Sequence, residues 1–387
     1  YGGQKLKLFV KILLTVTIIL GWCFSTQPLQ AQDMSNTYNL LIGTYTSGKS
    51  NGIYVYSFDT ETGDFKYKSE VSGITNPSFL AVARDRKYVY AVSETGKGQG
   101  SISAYSFDPK SGKLNYINSA SSGGDGPCHV AVDDNNQYVF AGNYGGGSLA
   151  AIPITDNGTL SQDIQVIQHQ GSSIHKNQNK PPVHATVLSP DNNYLFVPDL
   201  GTDKINIYRI DAAKAQPLTP AGQAFVKVEP GSGPRHFTFH PNQQYAYVIQ
   251  ELNGKITAFK YSQGRLEAIQ SVVATEEGYS GNPSAADIHL SPDGKFLYGS
   301  LRADVNQLVI YAVGPDGKLS FVGRQSTLGE HPRNFAIDPH GNYLLVGNGR
   351  SDEIVIFRRD QQTGLLTPTG KRISVGSPVC LKFVAID

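Results

Sequence analysis

The sequence has few cysteines, almost no net charge and a single long apolar run. Its 33 basic and 32 acidic residues nearly cancel. It therefore lacks the positive surface by which nucleic-acid-binding proteins hold phosphates, and we expect no nucleic-acid partner. Three cysteines are too few for a disulfide framework. The apolar run, residues 12–24, is short for a membrane span.

The first 31 residues have the layout of a secretory signal. Lys5, Lys7 and Lys11 precede the apolar run, and the Leu-Gln-Ala segment ending at residue 31 resembles a cleavage site. We therefore expect a mature protein of residues 32–387, periplasmic or secreted, with no stable membrane insertion after cleavage. Two alternatives stay open at this point. The segment could be retained as an anchor, or translation could begin at Met34 and give a cytoplasmic protein.

A proline, a short apolar run, a polar turn and a second apolar run recur seven times. The prolines that start the copies are Pro77, Pro127, Pro182, Pro234, Pro283, Pro332 and Pro378. Two β-rich runs joined by a turn such as SPDG or DPHG predict an antiparallel hairpin. Further β-rich runs add a third and a fourth strand to most copies. The repeat predicts an all-β fold, a seven-bladed β-propeller in a single domain.

The two ends of the chain predict how the ring closes. The seventh copy has only its first strand, whereas residues 38–45 resemble the second strand of the other copies. The N-terminal strand is therefore expected to join the last blade, which leaves no free sheet edge. Cys128 and Cys380 lie at the starts of blades two and seven, and blade one separates them. We therefore expect two buried free thiols and no disulfide.

The hairpins bring polar side chains to one end of the predicted channel. The first strand of each blade begins after its proline and the second strand ends beside that beginning, so both positions share one rim. Strand starts contribute His129, His184, Arg235, His236, Arg333 and Asn334. Strand ends contribute Glu94, Asn143, Asp199, Glu251, Arg302 and Asn348. Convergent cations and carboxylates at the mouth of a closed β structure predict a site for a small anionic ligand.

Six segments carry a family resemblance. They are GTYTSG (43–48), GPCHV (126–130), GNYGGGS (142–148), PDLGTD (198–203), GPRHFTFHP (233–241) and HPRNFAIDP (331–339). In this order and spacing they resemble the lactonase family of seven-bladed propellers, which includes propeller-type 6-phosphogluconolactonase and carboxy-cis,cis-muconate lactonizing enzyme. The resemblance covers residues 38–383. It implies a lactone hydrolase, most similar to 6-phosphogluconolactonase, that acts on a small anionic lactone or sugar acid. We expect no cofactor and no bound metal.

The resemblance also implies a catalytic set of one histidine, two arginines and one glutamate. The matching positions are His184, Arg235, Glu251 and Arg302, although Leu301 and Ala303 depart from the usual Ser-Asn-Arg-Gly pattern. We expect Glu251 or His184 to activate water and Arg235 to hold the oxyanion. Arg302 is expected to bind a substrate carboxylate or phosphate together with Arg333. We expect no nucleophilic serine or cysteine. The other predicted substrate contacts are His129, Asn143, Asp199, His236 and Asn334.

Three other functions are compatible with the same rim. A muconate-type cycloisomerase would use the same arginines, while an acid group protonates a carbanion-like centre and no water adds. A metal-dependent lactonase would bind Ca²⁺ through Glu251, Asp199 and Asn143, although the positive rim disfavours a cation. A non-enzymatic propeller would bind sugars or a protein partner without turnover. Export also conflicts with a phosphorylated intracellular substrate, so an unphosphorylated lactone stays open.

Overall fold

The structure, a computed structural model, describes residues 36–386, and the predicted signal segment lies outside this range. The described chain forms seven antiparallel four-stranded sheets, which confirms the all-β propeller of seven blades. Its one helical element is the 3₁₀ turn Asp156–Gly158. Within the described residues, no helix is long and apolar enough to cross a membrane.

The first half of the ring follows chain order. Three strands precede the first complete blade: β1 (Thr37–Thr44), β2 (Gly52–Asp59) and β3 (Phe65–Ser72). Blade 1 contains β4 (Leu80–Val82), β5 (Tyr88–Ser93), β6 (Ser101–Asp108) and β7 (Lys113–Ser121). Blade 2 contains β8 (Pro127–Val132), β9 (Tyr138–Asn143), β10 (Ser148–Pro153) and β11 (Gln165–Gln168). Blade 3 contains β12 (Val187–Leu188), β13 (Tyr194–Asp199), β14 (Lys204–Ile210) and β15 (Leu218–Lys227).

The second half ends with the blade that closes the ring. Blade 4 contains β16 (Pro234–Phe239), β17 (Tyr245–Gln250), β18 (Lys255–Ser262) and β19 (Arg265–Val273). Blade 5 contains β20 (Ala285–Leu290), β21 (Phe296–Leu301), β22 (Gln307–Val313) and β23 (Leu319–Ser326). Blade 6 contains β24 (Pro332–Ile337), β25 (Tyr343–Asn348), β26 (Glu353–Arg359) and β27 (Leu366–Ser374). Blade 7 has the order β28-β1-β2-β3, with β28 spanning Pro378–Ala385. The predicted closure by the N-terminal strand is confirmed.

The core lies between the blades. Second strands such as β9 and β25 are buried along their whole length, because neighbouring sheets cover both of their faces. Fourth strands such as β15 are largely exposed. Among the described residues, Cys128 and Cys380 are both buried and unpaired, as predicted.

One backbone hydrogen bond recurs at the same corner of every blade. The amide of the first residue after the second strand donates to the carbonyl of a residue just before the first strand, with N···O distances of 2.7–3.3 Å. Six of the seven acceptor residues have left-handed φ values between 41° and 66°, which non-glycine residues adopt at a cost. The acceptors in blades 1 to 7 are Asn76, Gly126, Pro182, Gly233, Ser284, His331 and Ser377. We call this contact the rim bond, because it fixes equivalent positions around one mouth of the channel.

Candidate active site

Two positions per blade supply the side chains at this mouth. The first is the donor of the rim bond, directly after the second strand; in blades 1 to 7 it is Glu94, Tyr144, Leu200, Glu251, Arg302, Gly349 and Tyr45. The second lies two residues after the acceptor and is Ser78, Cys128, His184, Arg235, Ala286, Arg333 and Val379. Three arginines, two glutamates and one histidine therefore occupy equivalent corners of different blades.

A β-bulge sets the direction of the second position. Pro234 pairs with Gln250 and His236 pairs with Ile249, so Arg235 is an extra residue without a ladder partner. Arg333 is the extra residue between the paired residues Pro332 and Asn334 of blade 6. Bulges bend a strand and redirect its side chains, and they are frequent beside active sites. The two arginines thus reach the mouth because of the same local irregularity.

Glu251 lies between two buried arginines. Its Oε2 accepts from Arg235 Nε at 2.9 Å and from Arg302 Nη2 at 3.0 Å. The guanidinium groups are held from behind, since Arg235 Nη1 donates to the carbonyl of Ala286 at 2.6 Å and Arg302 Nε donates to that of Ser284 at 2.9 Å. Burial raises the pKa of Glu251, but the charges of Arg302 and Arg235 outweigh it and lower that pKa overall. Glu251 is therefore a carboxylate at neutral pH.

Arg333 is a cation without a carboxylate partner. Among residues 36–386, no hydrogen bond or ion pair engages its guanidinium group, which lies 5.5 Å from the centre of the Tyr45 ring. Glu94 lies nearby and accepts hydrogen bonds from Tyr45 Oη at 2.9 Å and from Ser78 Oγ. Burial opposes the charge of Arg333, but Tyr45 and Glu94 favour it and raise its pKa. The site therefore presents a fixed positive charge to an incoming anion.

His184 completes the cluster on the side of blade 3. Its Nδ1 is 3.8 Å from Cys128 Sγ, and its ring is roughly perpendicular to the Tyr144 ring at a centroid distance of 5.4 Å. Burial and the charge of Arg235 hold the pKa of His184 well below the ordinary value, so the imidazole is neutral. Burial and Glu94 raise the pKa of the Cys128 thiol to about 12. This thiol stays protonated and is a poor nucleophile.

Three predicted contact residues lie one step deeper in the channel. His129, His236 and Asn334 each follow the mouth position of their blade. His236 Nδ1 is 2.7 Å from Asp287 Oδ1, and Asn334 donates to the other oxygen of Asp287 and accepts from the amide of Leu381 at 2.7 Å. Asn334 therefore has both ends of its amide engaged in joining blades. These residues form the floor beneath the mouth.

Two predicted contact residues do not join the cluster. Asn143 and Asp199 are the last residues of β9 and β13, one position before the mouth. Asn143 Nδ2 donates to the carbonyl of Ser122 at 2.7 Å, and Asp199 Oδ2 is 2.9 Å from Nδ1 of His169. Both side chains are buried within the blades. Asn348, at the same position of blade 6, donates to a loop carbonyl in the same way.

Sequence reasoning missed two tyrosines of the mouth, Tyr45 and Tyr144. Each directly follows the last residue of a second strand, as Glu94, Glu251 and Arg302 do. Counting from the end of the strand, instead of matching polar residues, would have found them.

Two short sequence motifs occur where β1 leads into β2, next to the mouth residue Tyr45. Residues 48–52 read GKSNG, the G-x-S-x-G pattern, and residues 43–50 read GTYTSGKS, the pattern of a phosphate-binding P-loop. Both patterns need a strand followed by a helix, whereas here the segment connects β1 to β2. Ser50 is buried and its hydroxyl contacts Thr44 Oγ1. Neither pattern therefore has the structural context that its chemistry requires.

The oxygen ligands considered for Ca²⁺ are not brought together. Glu251 is paired with two arginines, and Asp199 is paired with a histidine inside blade 3. Across residues 36–386, no group of three or more His, Cys, Asp or Glu side chains is arranged to hold a metal ion.

Comparison with known proteins identifies the family. Residues 39–383 match the model of the family described as "Lactonase, 7-bladed beta-propeller". A 6-phosphogluconolactonase of Bacillus subtilis is 36% identical over 345 residues, which is 89% of this chain and 97% of the relative. Another, from Formosa agariphila, is 38% identical over 349 residues, with coverages of 89% and 99%. The structure of a periplasmic gluconolactonase from Pseudomonas aeruginosa has a TM-score of 0.87 and 41% identity, covering 91% of this chain and 100% of that one. This chain therefore belongs to the lactonase family of seven-bladed β-propellers.

Proposed function

We propose that this protein hydrolyses the ring ester of a sugar-acid lactone at the mouth built around Glu251. The observation that carries this proposal is the placement of Glu251 between two buried arginines, beside Arg333, which has no carboxylate partner in the described chain. Such a cluster combines a base, donors for an oxyanion and a cation for substrate binding. Relatives named 6-phosphogluconolactonase and gluconolactonase support the reaction class.

In the proposed mechanism, Glu251 activates the attacking water. Its Oε1 accepts no hydrogen bond from the described residues, whereas Oε2 is occupied by the arginines. The water oxygen bonds to the lactone carbonyl carbon while Oε1 takes a water proton. As Glu251 becomes neutral, its attraction for Arg235 and Arg302 weakens and the carbonyl oxygen gains negative charge. The two guanidinium groups then stabilise that oxyanion.

Collapse of the tetrahedral intermediate completes the reaction. The bond between the carbonyl carbon and the ring oxygen breaks, and the proton held by Glu251 moves to that ring oxygen. The product is a hydroxy acid, which ionises at neutral pH. In this mechanism the neutral imidazole of His184 hydrogen-bonds the substrate. Arg333 binds the anionic group of the substrate or the side of the substrate that carries the carbonyl group.

Export of the protein completes the proposal. Residues 1–31 act as a cleaved signal, and residues 32–387 form the mature propeller in the periplasm or outside the cell. The periplasmic relative from Pseudomonas aeruginosa supports this location. An exported enzyme would meet gluconolactone more often than its 6-phosphate. Cell fractionation with N-terminal sequencing tests the location, and a cytoplasmic chain, whether it starts before residue 32 or at Met34, would contradict it.

The test of the proposed function is direct hydrolysis. The protein is mixed with gluconolactone and with 6-phosphogluconolactone, and acid release is followed after subtraction of spontaneous ring opening. We expect enzymatic turnover that a chelator does not reduce. Product analysis with a muconate-type diacid separates hydrolysis from cycloisomerisation. Binding of both lactones without turnover would contradict the proposal and favour a binding propeller.

A further inference from the structure

The channel beneath the mouth contains a separate cavity. Its volume is about 370 Å³. Its wall begins at the floor residues and is formed by β4, β8, β12, β16, β20 and β28. We call it the lower cavity. Its wall includes His129, His236, His289 and Lys382, none of which stands at the two mouth positions. The mechanism at Glu251 uses none of these groups.

The tautomers of the two floor histidines are set by their partners. The backbone amide of Thr186 donates to His129 Nδ1 at 3.2 Å, so a neutral His129 carries its proton on Nε2. His236 Nδ1 faces Asp287 Oδ1 at 2.7 Å. Nearby histidines hold the pKa of Asp287 well below its usual value, so the carboxylate accepts and Nδ1 of His236 carries the proton. His129 thus offers a donor and His236 offers an acceptor.

These two free nitrogens are not explained by blade packing. His129 and His236 are only 9% and 7% exposed, and both rings line the lower cavity. Their Nδ1 atoms join neighbouring blades, but in the described chain their Nε2 atoms have no hydrogen-bond partner. The rings lie 5.6 Å apart between centroids. A hydroxyl group satisfies such a pair, because it both donates and accepts a hydrogen bond.

Lys382 adds a positive charge to the same wall. Its Nζ lies 4.6 Å from the centre of the Phe79 ring, and no carboxylate of the described residues pairs with it. Asp287, the one acid among the described residues that line this cavity, is already occupied, because it accepts from His236, His289, Asn334 and the amide of Phe335. An ammonium group without a counter-ion in a concave site favours an anionic ligand.

We propose that the lower cavity binds a small hydroxycarboxylate, with the carboxylate at Lys382 and a hydroxyl between His129 and His236. This rests on the proposed function in one respect only: hydrolysis of a sugar lactone releases a compound of this class. The lower cavity is then a second site for product, deeper in the channel than the residues of the mouth.

Calorimetric titration of the whole protein with D-gluconate tests this site. The titration is done in an Arg333→Gln background, which weakens binding at the mouth. We expect one remaining site, and we expect Lys382→Leu and His129→Phe each to weaken it at least tenfold. The Phe ring keeps the stacking on Phe79, whose centroid is 4.1 Å from that of His129. Hexanoate, which has no hydroxyl groups, should bind at least tenfold more weakly than gluconate.

Two results would overturn the assignment. One is the absence of gluconate binding in the Arg333→Gln protein; the other is unchanged affinity in Lys382→Leu and His129→Phe with native melting temperatures. Binding is measured here without turnover. A wild-type protein that hydrolyses no lactone would therefore remove the proposed function, while the titration would still decide whether the lower cavity is a site.

Discussion

Three guanidinium groups and two carboxylates share the mouth of this propeller. Glu251 neutralises part of the charge of Arg235 and Arg302, and Glu94 lies near Arg333 without forming an ion pair to it. Burying an arginine without a bonded counter-ion costs free energy. An anionic substrate supplies the missing partner, so residue-level electrostatics favour a substrate with a carboxylate or phosphate.

The role of Arg333 is tested by substrate comparison. We expect Arg333→Gln to lower kcat/KM for 6-phosphogluconolactone by about 10- to 100-fold, the worth of one charge-assisted hydrogen bond. The loss for unphosphorylated gluconolactone should be smaller. Steady-state kinetics on both lactones measure it, with Arg324→Gln on the outer strand of blade 5 as control. An equal loss for both substrates would contradict binding of the phosphate by Arg333.

Cys128 and His184 look like a nucleophile and its base, but their chemistry argues against it. The pKa of the thiol is raised to about 12 by burial and Glu94, so almost no thiolate exists at neutral pH. We expect Cys128→Ala to keep kcat/KM within about twofold to threefold, since a cavity of one sulfur atom costs mainly stability. A folded Cys128→Ala protein that has lost turnover would contradict this expectation.

At the scale of the strand, adjacent residues at the end of a second strand have different roles: one stabilises the blade and the next belongs to the site. The last residue of a second strand points into its blade, as Asn143 and Asp199 do, and the next residue reaches the mouth, as Tyr144 and Glu251 do. The bulge at the start of the first strand then brings Arg235 and Arg333 to the same mouth.

Asp199→Asn tests this division between blade and mouth. Asp199 accepts from His169 and from the amides of Gly201 and Thr202, so loss of its charge should lower the free energy of unfolding by about 1–3 kcal/mol. Turnover of gluconolactone should be unchanged at temperatures where the variant is folded. Thermal melting and kcat/KM are both measured. A large loss of kcat/KM with an unchanged melting temperature would place Asp199 at the substrate.

Much of the fold was predictable from the sequence, because each repeat has a recognisable pattern of a proline, a β-rich run, a turn and a second β-rich run. The seven blades, the closing strand β1 and the free thiols were predicted and are confirmed. Arg235, Arg302 and Glu251 were predicted to converge, and the structure places both arginines in contact with Glu251. The inward direction of Asn143 and the mouth position of Tyr45 could not be predicted by matching polar residues. Strand pairing fixes them, and a register shift of one residue reverses the side of a strand that a residue faces.

At the scale of the whole molecule, ring closure buries ionisable groups at the centre. His129, His184 and His236 all line the channel and all have lowered pKa values, chiefly because of burial. Keeping these imidazole groups buried and neutral costs free energy in acid, and this cost lowers the stability of the whole propeller.

This burial predicts that stability falls in mild acid. The pKa of His236 is lowered from 6.5 to about 4, so the unfolded chain binds its proton first as the pH falls. Stability is therefore lost as the pH drops below 6.5, by about 1.4 kcal/mol per pH unit for this histidine until the folded value is reached. Urea unfolding at pH 7.5 and pH 5.0 measures the loss. The His129→Phe variant should lose less, and a pH-independent free energy of unfolding would contradict the neutral burial of these rings.

The central claim, that Glu251 is the base of a lactone hydrolase, is tested most directly by the kcat of Glu251→Gln. The account predicts that kcat for gluconolactone falls by about 10²–10⁴-fold in a protein that is still folded at the assay temperature, although loss of the carboxylate between Arg235 and Arg302 lowers its melting temperature. Glutamine keeps the shape of the side chain and an oxygen acceptor for Arg235 and Arg302. A folded Glu251→Gln protein with wild-type kcat would contradict the account.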